Sequence, residues 1–169
     1  MSRYKLLALD IDGTLVNSRD QLTPPTRDAI RRACEAGIRV VLATGRRYSK
    51  TLHLVEPLQL DVPLISASGA LIKDPLDHRT LFRAEFAPGV LENVLTILSV
   101  AGHDAVLYAD TFSQGFDFYC PRLKIPIGQQ DELAEYYNRN GRSGREWPNL
   151  MTAPPPEVFA GFAIDAQPK

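Results

Sequence analysis

The stretch Leu6-Leu7-Ala8-Leu9-Asp10-Ile11-Asp12-Gly13-Thr14-Leu15 decides the fold class. Its apolar residues form a short continuous run, the pattern of a strand buried on both faces of a parallel sheet. Gly13 ends that pattern, so two carboxylates, Asp10 and Asp12, stand where the strand stops. Ligands of open parallel sheets bind at that C-terminal edge. One carboxylate there suits a nucleophile or a metal ligand. The other suits general acid-base work, or lends its backbone carbonyl to a cation. A plain surface turn is the competing reading, because Asp and Gly are common in turns. The apolar strand before the pair and Gly13-Thr14 after it favour chemistry.

Downstream, Thr23-Pro24-Pro25 opens a helix. Thr23 caps it, and Pro24 takes the first helical position without losing a needed N–H. Ile30, Ala33 and Cys34 recur at helical spacing, with Cys34 expected to pack, and Gly37 stops the helix. Residues 39–43 read as a second buried strand, 49–56 as a short helix and 63–66 as a third strand. Residues 4–66 therefore read β-α-β-α-β, a parallel sheet with helices on its faces. Thr44-Gly45-Arg46 follows the second strand, and Thr44 comes 34 residues after Asp10. A right-handed crossover of that length brings the two to one sheet edge. A hydroxyl, a glycine N–H and an arginine beside two carboxylates suit a phosphate group.

Beyond Gly69 the pattern changes. Residues 70–72 and 81–86 flank a turn with Pro75, Asp77 and His78, a hairpin. Residues 88–101 predict a helix with Val90, Leu91, Val94, Leu95 and Leu98 on one face. Strands follow at 106–108 and 115–119, then a helix at 131–138, a Pro-, Gly- and Arg-rich loop at 141–156 and a last strand at 158–164. The chain thus divides into residues 1–87, with a hairpin at 70–86, and a separate α+β unit over 88–169. The aromatic residues between Tyr108 and Tyr119, with Phe162, supply that unit's core. His53, His78 and His103 lack metal-ligand spacing. Arg139, Arg142 and Arg145 read as part of a solvated loop.

Lys and Arg number 19 against 20 Asp and Glu, a net charge of −1 over 169 residues. That balance argues against a nucleic-acid or anionic-membrane surface, which needs a basic field. Two cysteines, Cys34 and Cys120, exclude a disulfide scaffold and fit free thiols in a reducing compartment. No apolar run approaches the roughly 20 residues that span a bilayer. The apolar run before Asp10 is too short for a signal-peptide core. The expectation is a soluble cytoplasmic protein.

Asp10-Ile11-Asp12-Gly13-Thr14-Leu15, Leu42-Ala43-Thr44-Gly45-Arg46 and Ile65-Ser66-Ala67-Ser68-Gly69-Ala70 together resemble the N-terminal part of a haloacid dehalogenase superfamily phosphatase. The resemblance is to the Cof-like type, with a large α/β cap inserted after the third strand. Leu22-Thr23-Pro24-Pro25-Thr26 and Gly37-Ile38-Arg39-Val40-Val41 fit the same group. The match is dense over residues 4–72 and architectural beyond. It implies an α/β, Rossmann-like parallel-sheet core with an inserted α+β cap. It also implies a Mg²⁺-dependent phosphoric monoester hydrolase acting on a small phosphorylated metabolite, such as a sugar phosphate. Asp10 would take the phosphoryl group. Asp12 would protonate the leaving alcohol and later activate water. The Asp10 carboxylate and Asp12 carbonyl would hold Mg²⁺. Thr44 and the Gly45 N–H would bind phosphate oxygens, and Arg46 would lie near the substrate.

The sequence departs from that group twice. Ser68-Gly69-Ala70 stands where the group carries Asn-Gly-Ala. The later lysine and Gly-Asp-rich segment, which complete charge neutralisation and the metal site, have no counterpart among these 169 residues. The first strand would then lack one neighbour, leaving an apolar edge prone to self-association. The expectation is an incomplete core with most of a cap, as in a fragment of a longer protein; a natural truncation and a core completed by a partner chain are the alternatives. Rival functions are a catalytically inactive phosphate-binding module, a phosphomutase and a phospho-acceptor receiver. Receivers end their third strand in the acceptor Asp, whereas here it ends in Ser66-Ala67-Ser68.

Overall fold

The computed structural model describes residues 4–58, 60, 62–123, 136, 139–140 and 143–165. The chain forms two compact units, Met1–Arg83 and Ala84–Lys169.

The N-terminal unit is α/β. β1 (Leu6–Leu9) runs parallel to β2 (Arg39–Leu42), with Leu6 opposite Arg39 and Leu9 opposite Leu42. α1 (Pro24–Glu35) connects them. Thr23 caps α1, its hydroxyl accepting the Thr26 N–H at 3.4 Å. Beyond its end Gly37 adopts φ +80°, a left-handed turn that favours glycine. After β2 the chain makes a 3₁₀ turn at Tyr48–Lys50, α2 (Leu52–Val55) and a second 3₁₀ turn at Glu56–Leu58. The continuous helix predicted over 49–56 is broken, and Pro57 sits in its last turn. β3 (Leu64–Ser66) joins β2 through a parallel bridge, Ala43 to Ile65. β4 (Leu71–Lys73) and β5 (Thr80–Arg83) follow antiparallel, which is the predicted hairpin. The buried Tyr48 hydroxyl ties its turn down, donating to the Asp74 carbonyl at 3.2 Å and pairing with His78 Nδ1 at 2.8 Å.

Two expectations for this unit fail on burial. β1 is not buried on both faces: Leu6 is 58% exposed and Leu7 39%. Among the described residues β1 pairs only with β2, so nothing covers its other edge. Cys34 is exposed rather than packed, because α1 buries only Ile30.

The C-terminal unit is α+β. α3 (Val90–Val100) precedes β6 (His103–Ala109) and β7 (Phe118–Cys120), then β8 (Gly144–Glu146) and β9 (Val158–Asp165). The sheet order is β8-β7-β6-β9, antiparallel except for the parallel pair β7–β8. Leu95 of α3 is buried against Leu107, Tyr119 and Leu150, with Leu91 and Leu98 beside it. Val90 and Val94 are exposed, so the packed stripe is narrower than the face predicted. Phe116, Phe118 and Tyr119 are core residues, and Tyr108 and Phe162 pack against that core. The segment read as a loop over 141–156 contains β8. Gly144 makes that strand possible, since a Cβ there would lie 2.4 Å from Phe118 Cζ. Arg145 is exposed, as expected, and its guanidinium also lies 4.2 Å from the Phe116 ring centre. Of the helix expected at 131–138 only Tyr136 is among the described residues, and Arg142 and Gly141 lie outside them.

Candidate active site

The site is built where β1, β2 and β3 end together. Leu9 is level with Leu42, and the Ala43 N–H donates to the Leu9 carbonyl at 2.9 Å. Next, the Thr44 N–H donates to the Ile65 carbonyl at 3.0 Å. Asp10, Thr44 and the loop after β3 therefore leave the sheet at the same, C-terminal, edge.

Ile11 pins the first loop. Its side chain is fully buried, and its carbonyl accepts N–H groups from Thr14, Leu15 and Val16 at 3.0–3.3 Å. Gly13 closes that turn with φ +73°. The pin leaves the carboxylates on either side, Asp10 and Asp12, exposed. The chain then makes a short hairpin. Val16 bridges Leu22 antiparallel, and the Asn17 side-chain oxygen accepts the N–H groups of Arg19 and Gln21 at 2.9 and 3.1 Å. Asp20 sits at the tip with φ +58°, a conformation Asp tolerates better than most residues.

Thr44 is buried, and its hydroxyl oxygen accepts the Arg46 N–H at 3.1 Å. Two bonds lock this loop to the one after β3: Ser68 N–H to the Thr44 carbonyl at 3.0 Å, and Ala67 N–H to the Arg46 carbonyl at 2.8 Å. Ala67 and Ser68 both take positive φ, 48° and 56°. The Ser68 Oγ lies 3.5 Å from where a Gly45 Cβ would stand, so Ser68 flanks the Gly45 backbone. Among the described residues the Gly45 N–H has no protein acceptor.

With its backbone held, Arg46 reaches across to the first loop. Its Nε and Nη2 form a fork on Asp12, at 2.9 Å to Oδ2 and 2.6 Å to Oδ1. The same Nη2 donates to Asp20 Oδ1 at 2.6 Å. His53 Nε2 lies 3.4 Å from the other Asp20 oxygen. The Arg46 side chain is only 20% exposed. Its hydrogen bonds hold both carboxyls below the usual carboxylate range, and they in turn raise the guanidinium. A concavity of about 340 Å³ lies among Asp12, Gly13, Val16, Asn17, Asp20 and Arg46. A larger cavity, about 680 Å³, opens beside α1 at the start of β2 and includes none of the predicted site residues.

Of the five residues singled out from the sequence, Asp12, Thr44 and Arg46 are joined by hydrogen bonds. Gly45 lies between the latter two. Asp10 stands at the same edge and, among the described residues, makes no hydrogen bond or ion pair. Sequence reasoning missed Asp20 and His53 as neighbours of the site, and marked Ser68 only as a departure from the family's Asn. A signal for Asp20 exists, an Asn-x-x-Asp turn between Val16 and Leu22, whereas nothing local marks His53.

A parallel-strand edge carrying Asp-x-Asp-Gly-Thr opposite Thr-Gly-Arg defines a class of protein. The chain belongs to the haloacid dehalogenase-like hydrolases, whose family profile it matches over residues 7–140. It is 45% identical over 71 residues to phosphatase YwpJ of Bacillus subtilis (strain 168), a stretch covering 42% of this chain and 25% of that protein. It is 37% identical over 95 residues to 5-amino-6-(5-phospho-D-ribitylamino)uracil phosphatase YwtE of the same bacterium, covering 54% of this chain and 32% of that one. A solved haloacid dehalogenase-like hydrolase from B. subtilis matches with TM-score 0.65 at 27% identity, over 92% of this chain and 59% of the other. The chain thus spans 25–32% of the length of these two curated relatives.

Proposed function

We propose that this chain carries the nucleophile side of a phosphatase active site that hydrolyses a small phosphorylated metabolite through an aspartyl-phosphate. The observation that carries the reading is the shared C-terminal edge of β1, β2 and β3. It gathers Asp10, a carboxylate without a partner among the described residues, Asp12, a second carboxylate under a guanidinium, and the Thr44 hydroxyl and Gly45 N–H, which have no acceptor among the described residues. Asp10 Oδ attacks phosphorus, and the bond from phosphorus to the leaving oxygen breaks. Asp12 gives that oxygen a proton. It then takes one from water, which attacks phosphorus of the Asp10 acyl phosphate; the bond from phosphorus to the Asp10 oxygen breaks, and phosphate and the Asp10 carboxylate are released. The Thr44 hydroxyl, the Gly45 N–H and Arg46 hold the equatorial oxygens, where charge develops. The arrangement seen here is the base form of Asp12, held ionised by Arg46.

The residues present fit Mg²⁺ by their chemistry. The Asp10 carboxylate and the Asp12 carbonyl offer hard oxygens, and no group of three His, Cys, Asp or Glu among the described residues is arranged to enclose a metal. A site with few protein oxygens suits Mg²⁺, which keeps several waters. When bound, the ion supplies positive charge to the phosphoryl oxygens.

The relatives named phosphatases support the reaction class, and the name of YwtE supports a phosphorylated small molecule as substrate. No described helix is long and apolar enough to cross a membrane. The second unit, by analogy with the fold family, is the cap that selects the substrate. The bare edge of β1 is a surface for self-association. The test of the nucleophile is Asp10→Asn. Phosphate release from a panel of sugar phosphates falls about 10³-fold or more in kcat. Turnover retained within tenfold overturns the assignment.

A further inference from the structure

We infer that Asp20, at the tip of the hairpin bridged by Val16 and Leu22, is a positioning residue that anchors Arg46 over the sheet edge and through it orients Asp12. The inference deepens the phosphatase reading and rests on it for its kinetic consequence. Its geometric half stands alone.

Arg46 is a long side chain that must hold one orientation to fork onto Asp12. Its backbone is fixed by Thr44 and Ala67, but those bonds leave the side-chain torsions free. Asp20 removes that freedom. It takes Nη2 at 2.6 Å, and Nη2 also serves Asp12 at 2.6 Å, so one nitrogen is shared between two carboxylates from different parts of the first loop. The sharing sets the plane of the guanidinium and leaves Nε for the second tooth of the fork. Asp20 is itself held. The hairpin fixes its backbone, with its N–H donating to the Asn17 carbonyl at 3.0 Å, and His53 at the start of α2 lies 3.4 Å from its second oxygen. Without Asp20 the guanidinium loses the partner that fixes its plane, and the hairpin loses its ion pair to the loop after β2.

Asp20→Asn keeps the shape and removes the charge. Two measurements on the folded variant decide the matter. In the first, ¹H–¹⁵N spectra follow solvent exchange of the Arg46 Nε proton, with Asp12→Asn as the reference for a broken fork. Exchange at least tenfold faster in Asp20→Asn than in wild type is expected. An unchanged rate overturns the anchor, whatever the enzyme does. The second compares an alkyl phosphate, whose leaving oxygen needs a proton, with p-nitrophenyl phosphate, whose leaving group does not. Asp20→Asn lowers kcat about tenfold on the alkyl ester and no more than about twofold on the aryl ester. A merely structural role lowers both alike, which overturns the positioning role while the phosphatase reading stands. If the full-length wild type hydrolyses neither ester, the phosphatase reading falls, and the exchange measurement still decides the anchor.

Discussion

Arg46 joins two carboxylates that lie 34 and 26 residues before it, and most of what is particular to this site follows from that one side chain. The pairs are short but not deeply buried, Asp12 being 61% exposed, so solvent screening keeps their contribution to about 1 kcal/mol. The pH dependence has a definite sign. Arg46 depresses both carboxyls below their ordinary value of 3.8. The stabilisation is therefore fully present above that value and is lost as pH falls through the lower, folded-state values. Urea denaturation of wild type and Arg46→Ala should show a gap of about 1 kcal/mol that is constant from neutral pH to about 5 and closes below about 4. A gap that widens in acid would contradict the assignment. High salt should shrink it at every pH.

At the scale of elements, the local rules work where one element sets its own ends. Thr23, Pro24 and Gly37 bound α1 as its capping chemistry requires. They work less well where an element depends on a neighbour. β8 carries the sequence Gly-Arg-Glu, with no strand signal of its own, and exists because Gly144 lets it lie against the buried ring of Phe118. Gly144→Ala places a Cβ 2.4 Å from Phe118 Cζ. A loss of about 1–3 kcal/mol is expected in thermal or urea unfolding, from displacement of a ring with no solvent exposure. A loss below about 0.5 kcal/mol would mean the strand does not need the glycine. α3 gives the same lesson. Five apolar residues share its predicted face, but the sheet receives only the stripe of Leu91, Leu95 and Leu98.

For the whole molecule, the open edge of β1 has a consequence in solution. Leu6 and Leu7 are exposed on a strand that pairs on one side only among the described residues, and β1 itself carries no charge or proline to blunt the other edge. Sedimentation velocity across a concentration series should show association of the wild-type chain, weakened in Leu7→Lys. A wild-type chain that stays monomeric throughout would refute this. The β-α-β-α-β order, the common strand edge and the placing of Asp10, Asp12, Thr44, Gly45 and Arg46 at it were readable from the amino acids, because short apolar runs, caps and strand-end turns are local and a right-handed crossover links them. What folding alone settled is which groups touch. Asp20 meets both Arg46 and His53, Ser68 lies beside Gly45, and Leu6 stays wet because contact and burial depend on neighbours supplied by distant parts of the chain, which no local pattern encodes.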